Sequence, residues 1–317
     1  LSTLVEQLHT LINKQGISAI VYFKLKNGDI KLADINNEVL PNILGLYTKE
    51  LRSAIIDKEG LEVMKLSHAD ERKNVIYEYD FDSGREPFIS IKKVAQDQDI
   101  GSFSFSDDGL DNIDGIIVKV GNSGETLYLY SKFYPVNLIK QGRVIKLVKS
   151  DQRFEEFNDE LLQVTGKFDL IYFQSNFFIN KLQTLERHYA FEDVIKKRAI
   201  EDYEKLKELE VLFENNRLQG YLEKKLSRAK KFVKVMTSSM VISKSISNEQ
   251  LITFVTNHSI LKEALDTNTE NTKFVLTTNK HCELFIKILD DDFLKSELTE
   301  EEYDAIAKNS AEKVVGV

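Results

Sequence analysis

Arg217, Lys224, Arg228 and Lys231 follow one another at spacings of seven, four and three residues. On a helix that advances about 100° per residue, this spacing stacks four cations along one face. Leu218, Leu222, Leu226, Ala229, Val233 and Met236 fall on an adjoining face. One helix over 218–236 is therefore expected to bury an apolar stripe and present a basic ridge. Lys225, Lys230 and Lys234 flank the ridge, and Glu223 is the only acid between Arg217 and Lys234. The chemistry such a ridge offers is phosphate neutralisation, the main source of non-specific nucleic-acid affinity. The competing reading is a solvated amphipathic helix whose cations meet water, or acids elsewhere in the chain.

A second basic segment strengthens the first reading. Residues 131–150 hold Lys132, Lys140, Arg143, Lys146 and Lys149 without a single acid. A strand over 144–148 would carry cations on one face. The candidate DNA contacts are therefore Arg217, Lys224, Lys225, Arg228, Lys231 and Lys234, with Lys140, Arg143, Lys146 and Lys149. The chain as a whole is acidic, with a net charge of -8, so these clusters stand against its average. Acid gathers instead at 97–114, which has six aspartates and no lysine or arginine, and at 283–304. No helix-turn-helix glycine, zinc-finger spacing or aromatic-rich RNA-binding motif accompanies the cations, so binding without base readout is expected.

Other chemistries find weaker support in the sequence. Asp29 with Lys31, and Glu223 with Lys225, have the acid-x-lysine spacing of some nucleases, yet no upstream acid completes either set. Asp107, Asp108, Asp111 and Asp114 lack the closing glutamate and correctly placed glycine of a calcium loop. The five histidines are scattered, and His281 has only the lone Cys282 beside it, which is not a zinc set. No Gly-x-Ser-x-Gly elbow or Gly-rich phosphate loop occurs. No catalytic residue, metal ligand or cofactor is assigned, and a non-catalytic protein is expected.

The elements that must position the cations read as α+β: mixed-sheet hairpins followed by a helical region, with a smaller amino-terminal α/β unit. Hairpins are expected around Asn27-Gly28-Asp29, Asn122-Ser123-Gly124 and Gln174-Ser175-Asn176. Further strands are expected at 60–66, 75–81 and 88–92. Helices are expected over 4–12, 39–56, 185–213, 218–236, 248–265 and 280–289. The length of 317 residues favours two domains, placed at 1–105 and 106–317 with the acidic stretch near the junction. One cysteine allows no intrachain disulfide, which fits a reducing, cytoplasmic setting. No apolar run reaches the roughly 18 residues of a membrane span, and residues 1–16 read as an amphipathic helix rather than a signal peptide.

Several short patterns carry a resemblance. Tyr128-Leu129-Tyr130 with Phe133-Tyr134-Pro135, Phe168-Asp169-Leu170-Ile171, and Leu185-Glu186 with Tyr189 and Phe191 are joined by a closing pattern. That pattern is Ile288-Leu289-Asp290-Asp291-Asp292-Phe293-Leu294 with Ser296-Glu297-Leu298-Thr299 and Tyr303. Together they resemble the KwaB family of Kiwa anti-phage defence proteins over roughly the last two-thirds of the chain. Leu185 departs from the aromatic expected before the glutamate. The resemblance implies a homodimeric, DNA-binding effector that restrains phage replication or late transcription. It also implies a membrane partner, KwaA, that holds the effector at the inner membrane, and no small-molecule substrate. Alternatives are a metal-dependent nuclease effector and a non-catalytic scaffold for the membrane partner.

Overall fold

The computed structural model describes residues 3–69, 74–96, 99–122, 124–134, 138–139, 147–150, 153–156, 161–214, 216–295 and 302–304. It divides into two compact units. The first contains Leu1–Leu66 and Asp70–Phe191, and the second contains Ser67–Ala69 and Glu192–Val317.

In the first unit, α1 (Leu4–Ile12) starts at a capping box. Glu6 N donates to Thr3 Oγ1 (3.3 Å) and Thr3 N donates to the Glu6 carboxylate (2.8 Å), closing two backbone donors the first turn leaves open. β1 (Ser18–Leu25) and β2 (Ile30–Leu32) form the expected hairpin, with Gly28 at φ 89°. α2 (Leu40–Leu51) buries Ile43, Tyr47 and Leu51 and runs into a π-helical turn, Arg52–Ile56. β3 (Glu62–Lys65) and β4 (Val75–Glu78) follow, then α3 (Phe88–Ala95), β5 (Ile113–Gly121) and β6 (Thr126–Lys132). Two short ribbons come next. β7 (Leu138–Ile139) pairs with β10 (Leu161–Leu162), and β8 (Leu147–Ser150) with β9 (Arg153–Glu156). β11 (Leu170–Phe173), β12 (Asn176–Ile179) and α4 (Leu182–His188) complete the unit.

Eight strands make one sheet in the order β2-β1-β5-β6-β11-β12-β4-β3, in which only β3 and β4 run parallel. Alternation along the strands gives it two apolar faces. Val21, Val118, Leu129 and Ile171 share a core with Leu8, Tyr47 and Leu51 of α1 and α2. On the opposite face, Phe88 of α3 meets Phe177 edge-on at 4.8 Å, and Tyr130, Leu170 and Ile179 are buried.

This sheet corrects the expected domain boundary. Ser18 to Leu25 pair with Ile113 to Gly121, so strands from both sides of residue 105 are hydrogen-bonded neighbours. The acidic stretch marks a surface turn, where Ser104 N donates to Asp108 Oδ2 at 2.8 Å, rather than a linker between domains. The strand expected at 88–92 is also corrected. Phe88, Ile91 and Val94 are buried at helical spacing in α3, because a short apolar run does not distinguish strand from helix.

The second unit is mainly helical: α5 (Phe191–Glu208), α6 (Leu218–Glu223), α7 (Leu226–Ser238), α8 (Met240–Ser243), α9 (Asn248–Asn257), α10 (Leu261–Ala264) and α11 (Asn279–Leu289). Two ribbons accompany them, β13 (Asp266–Thr267) with β14 (Phe274–Val275) and β15 (Phe293–Lys295) with β16 (Glu302–Asp304). Phe232, Val235, Phe274 and Phe285 are fully buried. Three expected helices are interrupted. Residues 185–213 break at Ala190 (φ 48°), 218–236 at Lys225 (φ -143°, ψ 130°), and 248–265 at His258 (φ -82°, ψ 127°). Among the described residues, no helix is long and apolar enough to cross a membrane.

The turn of the β5–β6 hairpin depends on Gly121, whose φ is 151°. A β-carbon there would stand 2.2 Å from the Glu125 carbonyl oxygen. Gly121→Ala should therefore cost about 2–4 kcal/mol, combining backbone strain with steric overlap. Urea denaturation of both proteins measures this, and an unchanged midpoint would refute it.

Candidate nucleic-acid interface

The basic ridge is not one helix face. Lys224 ends α6, and Lys225 is extended, which turns the chain into a second helix. The cations on either side of this break then take different roles. Arg217 caps α6, and its guanidinium donates to the Thr277 carbonyl at 3.1 Å while its backbone N–H donates to Leu276 O at 2.9 Å. The Arg228 guanidinium stacks 4.0 Å over the Tyr221 ring and reaches the Tyr221 carbonyl at 3.4 Å. Burial pushes the thiol of Cys282 up to about 11, against the charges of Arg217 and Arg228. Burial likewise raises the Tyr221 phenol, again opposed by Arg228. These two arginines thus line the packing of α6 and α11.

Lys231 pairs with Asp292 at 3.2 Å, so part of the acidic carboxy-terminal block meets a cation within the fold. The remaining candidates face outward. Lys224 and Lys225 are exposed at the helix break, and Lys234 is half-exposed on α7. On α7 the buried side is Ala229, Phe232, Val233 and Val235, which leaves Lys230, Lys231 and Lys234 along the solvent side. The exposed basic surface is therefore Lys224 and Lys225 with the outer face of α7. Of the second segment, Lys140, Arg143 and Lys146 lie outside the described residues. Lys149 belongs to β8, and its side chain too lies outside the description.

The first unit holds a charge cluster that pattern reading did not find. Lys24 is only 4% exposed, and its ammonium donates to Asp114 Oδ2 at 2.9 Å and lies 3.8 Å from Glu86. Lys132 closes on the other oxygen of Asp114. Glu86 accepts from Ser90 of α3. Asp169 accepts the Lys132 backbone N–H at 2.8 Å and pairs with Lys181 at 3.4 Å. This fixes the strand-to-helix junction after β12. Tyr130 and Tyr189 share a hydrogen bond beside the cluster, and burial raises both phenols well above their ordinary range. Burial alone would push the Asp114 carboxyl up. Hydrogen bonds from Lys132 and Lys24, with their charges, outweigh it and hold Asp114 below the usual carboxylate range.

The ammonium and carboxylate groups of this cluster answer one another, which gives it a structural role. The signal in the sequence was faint: Lys24 sits among apolar residues of a strand, the one position in Ser18–Leu25 where a charge breaks the run. Asp114 looked like the last member of an acidic turn. His188 is exposed and meets the Tyr134 ring edge-on at 5.4 Å. Among the described residues, no group of three His, Cys, Asp or Glu stands close enough to hold a metal ion.

A two-faced, mostly antiparallel sheet followed in sequence by a helical unit with exposed lysines defines an α+β protein. Residues 110–299 match the family described as Kiwa protein KwaB-like, and the chain belongs to that family, a component of an anti-phage defence system. The chain is also similar to the Kiwa protein KwaB of Escherichia coli O55:H7 (strain RM12579 / EPEC), at 27% identity over 315 residues. That match covers 96% of this chain and 97% of the relative. No solved structure matches the chain.

Asp114→Asn removes the charge between two lysines, one of them buried, and should cost about 3–5 kcal/mol at neutral pH. Because the folded pKa is lowered, the Asp114 contribution is complete above the unfolded value of about 3.9 and is lost as pH falls through the folded value. The stability gap between the native protein and the variant should therefore narrow in acid. Denaturation at pH 7 and pH 3 checks both points, and a gap that does not change with pH would contradict the assignment.

Proposed function

We propose that this protein is a non-catalytic effector that binds phage duplex DNA through its phosphate backbone, largely without sequence preference. The observation that carries the reading is the exposed lysine surface at the α6–α7 break, in a chain that is acidic overall. Flexible ammonium groups on a turn and a helix face suit phosphate contact, which needs charge and reach rather than rigid base-edge geometry. Family membership supports the same reading, with binding restraining phage replication or late transcription. It equally supports action as a homodimer beside the membrane protein KwaA, which would hold a chain without a spanning helix among its described residues at the inner membrane.

The DNA contacts are assigned to Lys224, Lys225 and Lys234, with Lys231 partly committed to Asp292. Lys140, Arg143, Lys146 and Lys149 are proposed as further phosphate contacts on their spacing in the sequence alone. Arg217 and Arg228 are assigned to the fold, so altering them tests stability rather than binding.

The combined variant K224E/K225E/K234E should weaken duplex binding at least tenfold while leaving the circular dichroism spectrum unchanged. Each lost phosphate contact lowers the slope of log affinity against log salt by about 0.9 for B-DNA, so the three together should flatten it by about 2 to 3. Fluorescence anisotropy across a salt series measures both, and undiminished affinity would refute the assignment. Supercoiled plasmid incubated with the protein and magnesium or manganese should stay intact. Nicking or linearisation would favour the nuclease alternative.

A further inference from the structure

The eight-stranded sheet ends differently at its two sides. At β2 the outward backbone of Leu32 is already bonded. Its N–H donates to the Gly101 carbonyl at 2.9 Å, and its carbonyl accepts the Phe103 N–H at 2.8 Å. At β3 no strand lies beyond the edge among the described residues. Glu62 N donates inward to the Asn74 carbonyl at 3.0 Å, in parallel register with β4. Alternate residues of a parallel ladder bond the same neighbour. Glu62 and Met64 are therefore committed to β4, while the N–H and C=O groups of Val63 and Lys65 point away from it.

The side chains at this edge are also unfilled. Val63 lies opposite the core residue Ile76 yet is 43% exposed. Beside it opens a cavity of about 490 Å³, walled by Leu4 and Val5 of α1 with Leu61, Val63 and Phe178. Lys65 lies opposite Glu78 in register, is exposed, and makes no ion pair among the described residues. We infer that β3 is a docking edge, which takes up an extended segment of a partner protein as a further, antiparallel strand. Along its own direction that segment reads acid–x–apolar.

Main-chain bonds at Val63 and Lys65 supply affinity, and alternate side chains supply specificity. The antiparallel direction is the more stable per residue. Residues opposite one another share a sheet face, so the acid meets Lys65 and the apolar residue two positions on meets Val63 at the cavity. A second copy of β3 fits less well. Its outward positions are again Val63 and Lys65, which would place an apolar group or a like charge, never an acid, opposite Lys65. The edge belongs to the first unit and the lysines assigned to duplex binding to the second, so neither reading depends on the other.

The test titrates a fluorescein-labelled peptide, Thr-Glu-Thr-Val-Thr-Leu with both ends blocked, with the full chain, V63P and K65E, and follows anisotropy. The native chain should bind at millimolar concentration or below. V63P removes one outward N–H at an edge position, where proline is tolerated, and should abolish binding. K65E should weaken binding about fivefold and restore it for the peptide with lysine in place of glutamate. A peptide N-methylated at its glutamate and valine should not bind, because those amides face Lys65 and Val63. Melting curves check that V63P folds, and K65E keeps the test decisive if it does not. No binding to the native chain, equal binding of the N-methylated peptide, or no response to K65E would overturn the proposal. So would a native dimer that V63P splits in sedimentation, since a second copy would then occupy the edge.

Discussion

The Asp114 carboxylate sits between the ammonium groups of Lys24 and Lys132, and the central strands take their register around it. Lys24 lies on β1, Asp114 on β5 and Lys132 on β6, so three neighbouring strands contribute one charged group each. A lysine that is 4% exposed is tolerable only when its charge is answered nearby. A shift of β1 by one residue would send Lys24 to the opposite face, into the cluster of Val21, Phe23 and Val118. The ion cluster thus works against wrong pairings more than it adds net stability. Glu86 and Ser90 tie the start of α3 to the same charges, which places the helix over this face of the sheet.

The second unit is governed by a different constraint, the break at Lys224 and Lys225. An uninterrupted helix over 218–236 would have aligned Arg217, Lys224, Arg228 and Lys231. The extended backbone of Lys225 separates them into groups with different work. Arg228 folds back onto Tyr221 across the break, and Arg217 ties the start of α6 to the strand end at Leu276 and Thr277. The planar guanidinium suits both roles, since it stacks and donates in fixed directions, while lysine ammonium groups remain at the turn and along α7. The break therefore both anchors the helical pair and exposes its lysines.

Much of this was legible where local chemistry dictates local structure. Asn27-Gly28-Asp29 and Gln174-Ser175 form turns because their residues accept positive φ, as Gly28, Gln174 and Ser175 do here. The apolar spacing of Leu8, Leu11 and Ile12 fixed α1, and that of Cys282, Phe285, Ile286 and Leu289 fixed α11. What escaped is non-local. Pairing of β1 with β5 joins segments about ninety residues apart, as the Lys24–Asp114 separation of 90 measures, and no short pattern carries that information. Charge runs misled for the same reason: Asp114 and Asp292 belong to acidic stretches, yet each faces a lysine brought by the fold. Helical periodicity marks both α6 and α7 but hides the break that makes them two helices instead of the one expected over 218–236, since a single extended residue leaves the hydrophobic spacing on either side nearly intact.

Set beside the net charge, the arrangement of cations follows a consistent logic. Lys24, Lys132 and Lys231 each have a carboxylate partner, and Lys24 and Lys132 lie where solvent alone would not satisfy them fully. Lys224 and Lys225 occupy the one turn between α6 and α7 where water satisfies them, and folding gains little from placing charge there. Their cost to the fold is small and their reach is large, whereas any acid nearby would cancel their field within about one Debye length of roughly 8–10 Å. Glu223 is the nearest acid in sequence, and it points back along α6 toward Gln219, whose amide it accepts at 3.2 Å. A surface that keeps its acids turned aside in this way concentrates positive potential on a chain that otherwise repels phosphate. If the chain binds duplex DNA as proposed, binding would depend on one end of one helical pair rather than on net charge, and it should respond far more to substitutions at this turn than to equal changes of charge along α5. There Lys196, Lys197, Arg198, Lys205 and Lys207 are each matched by an acid three or four residues away.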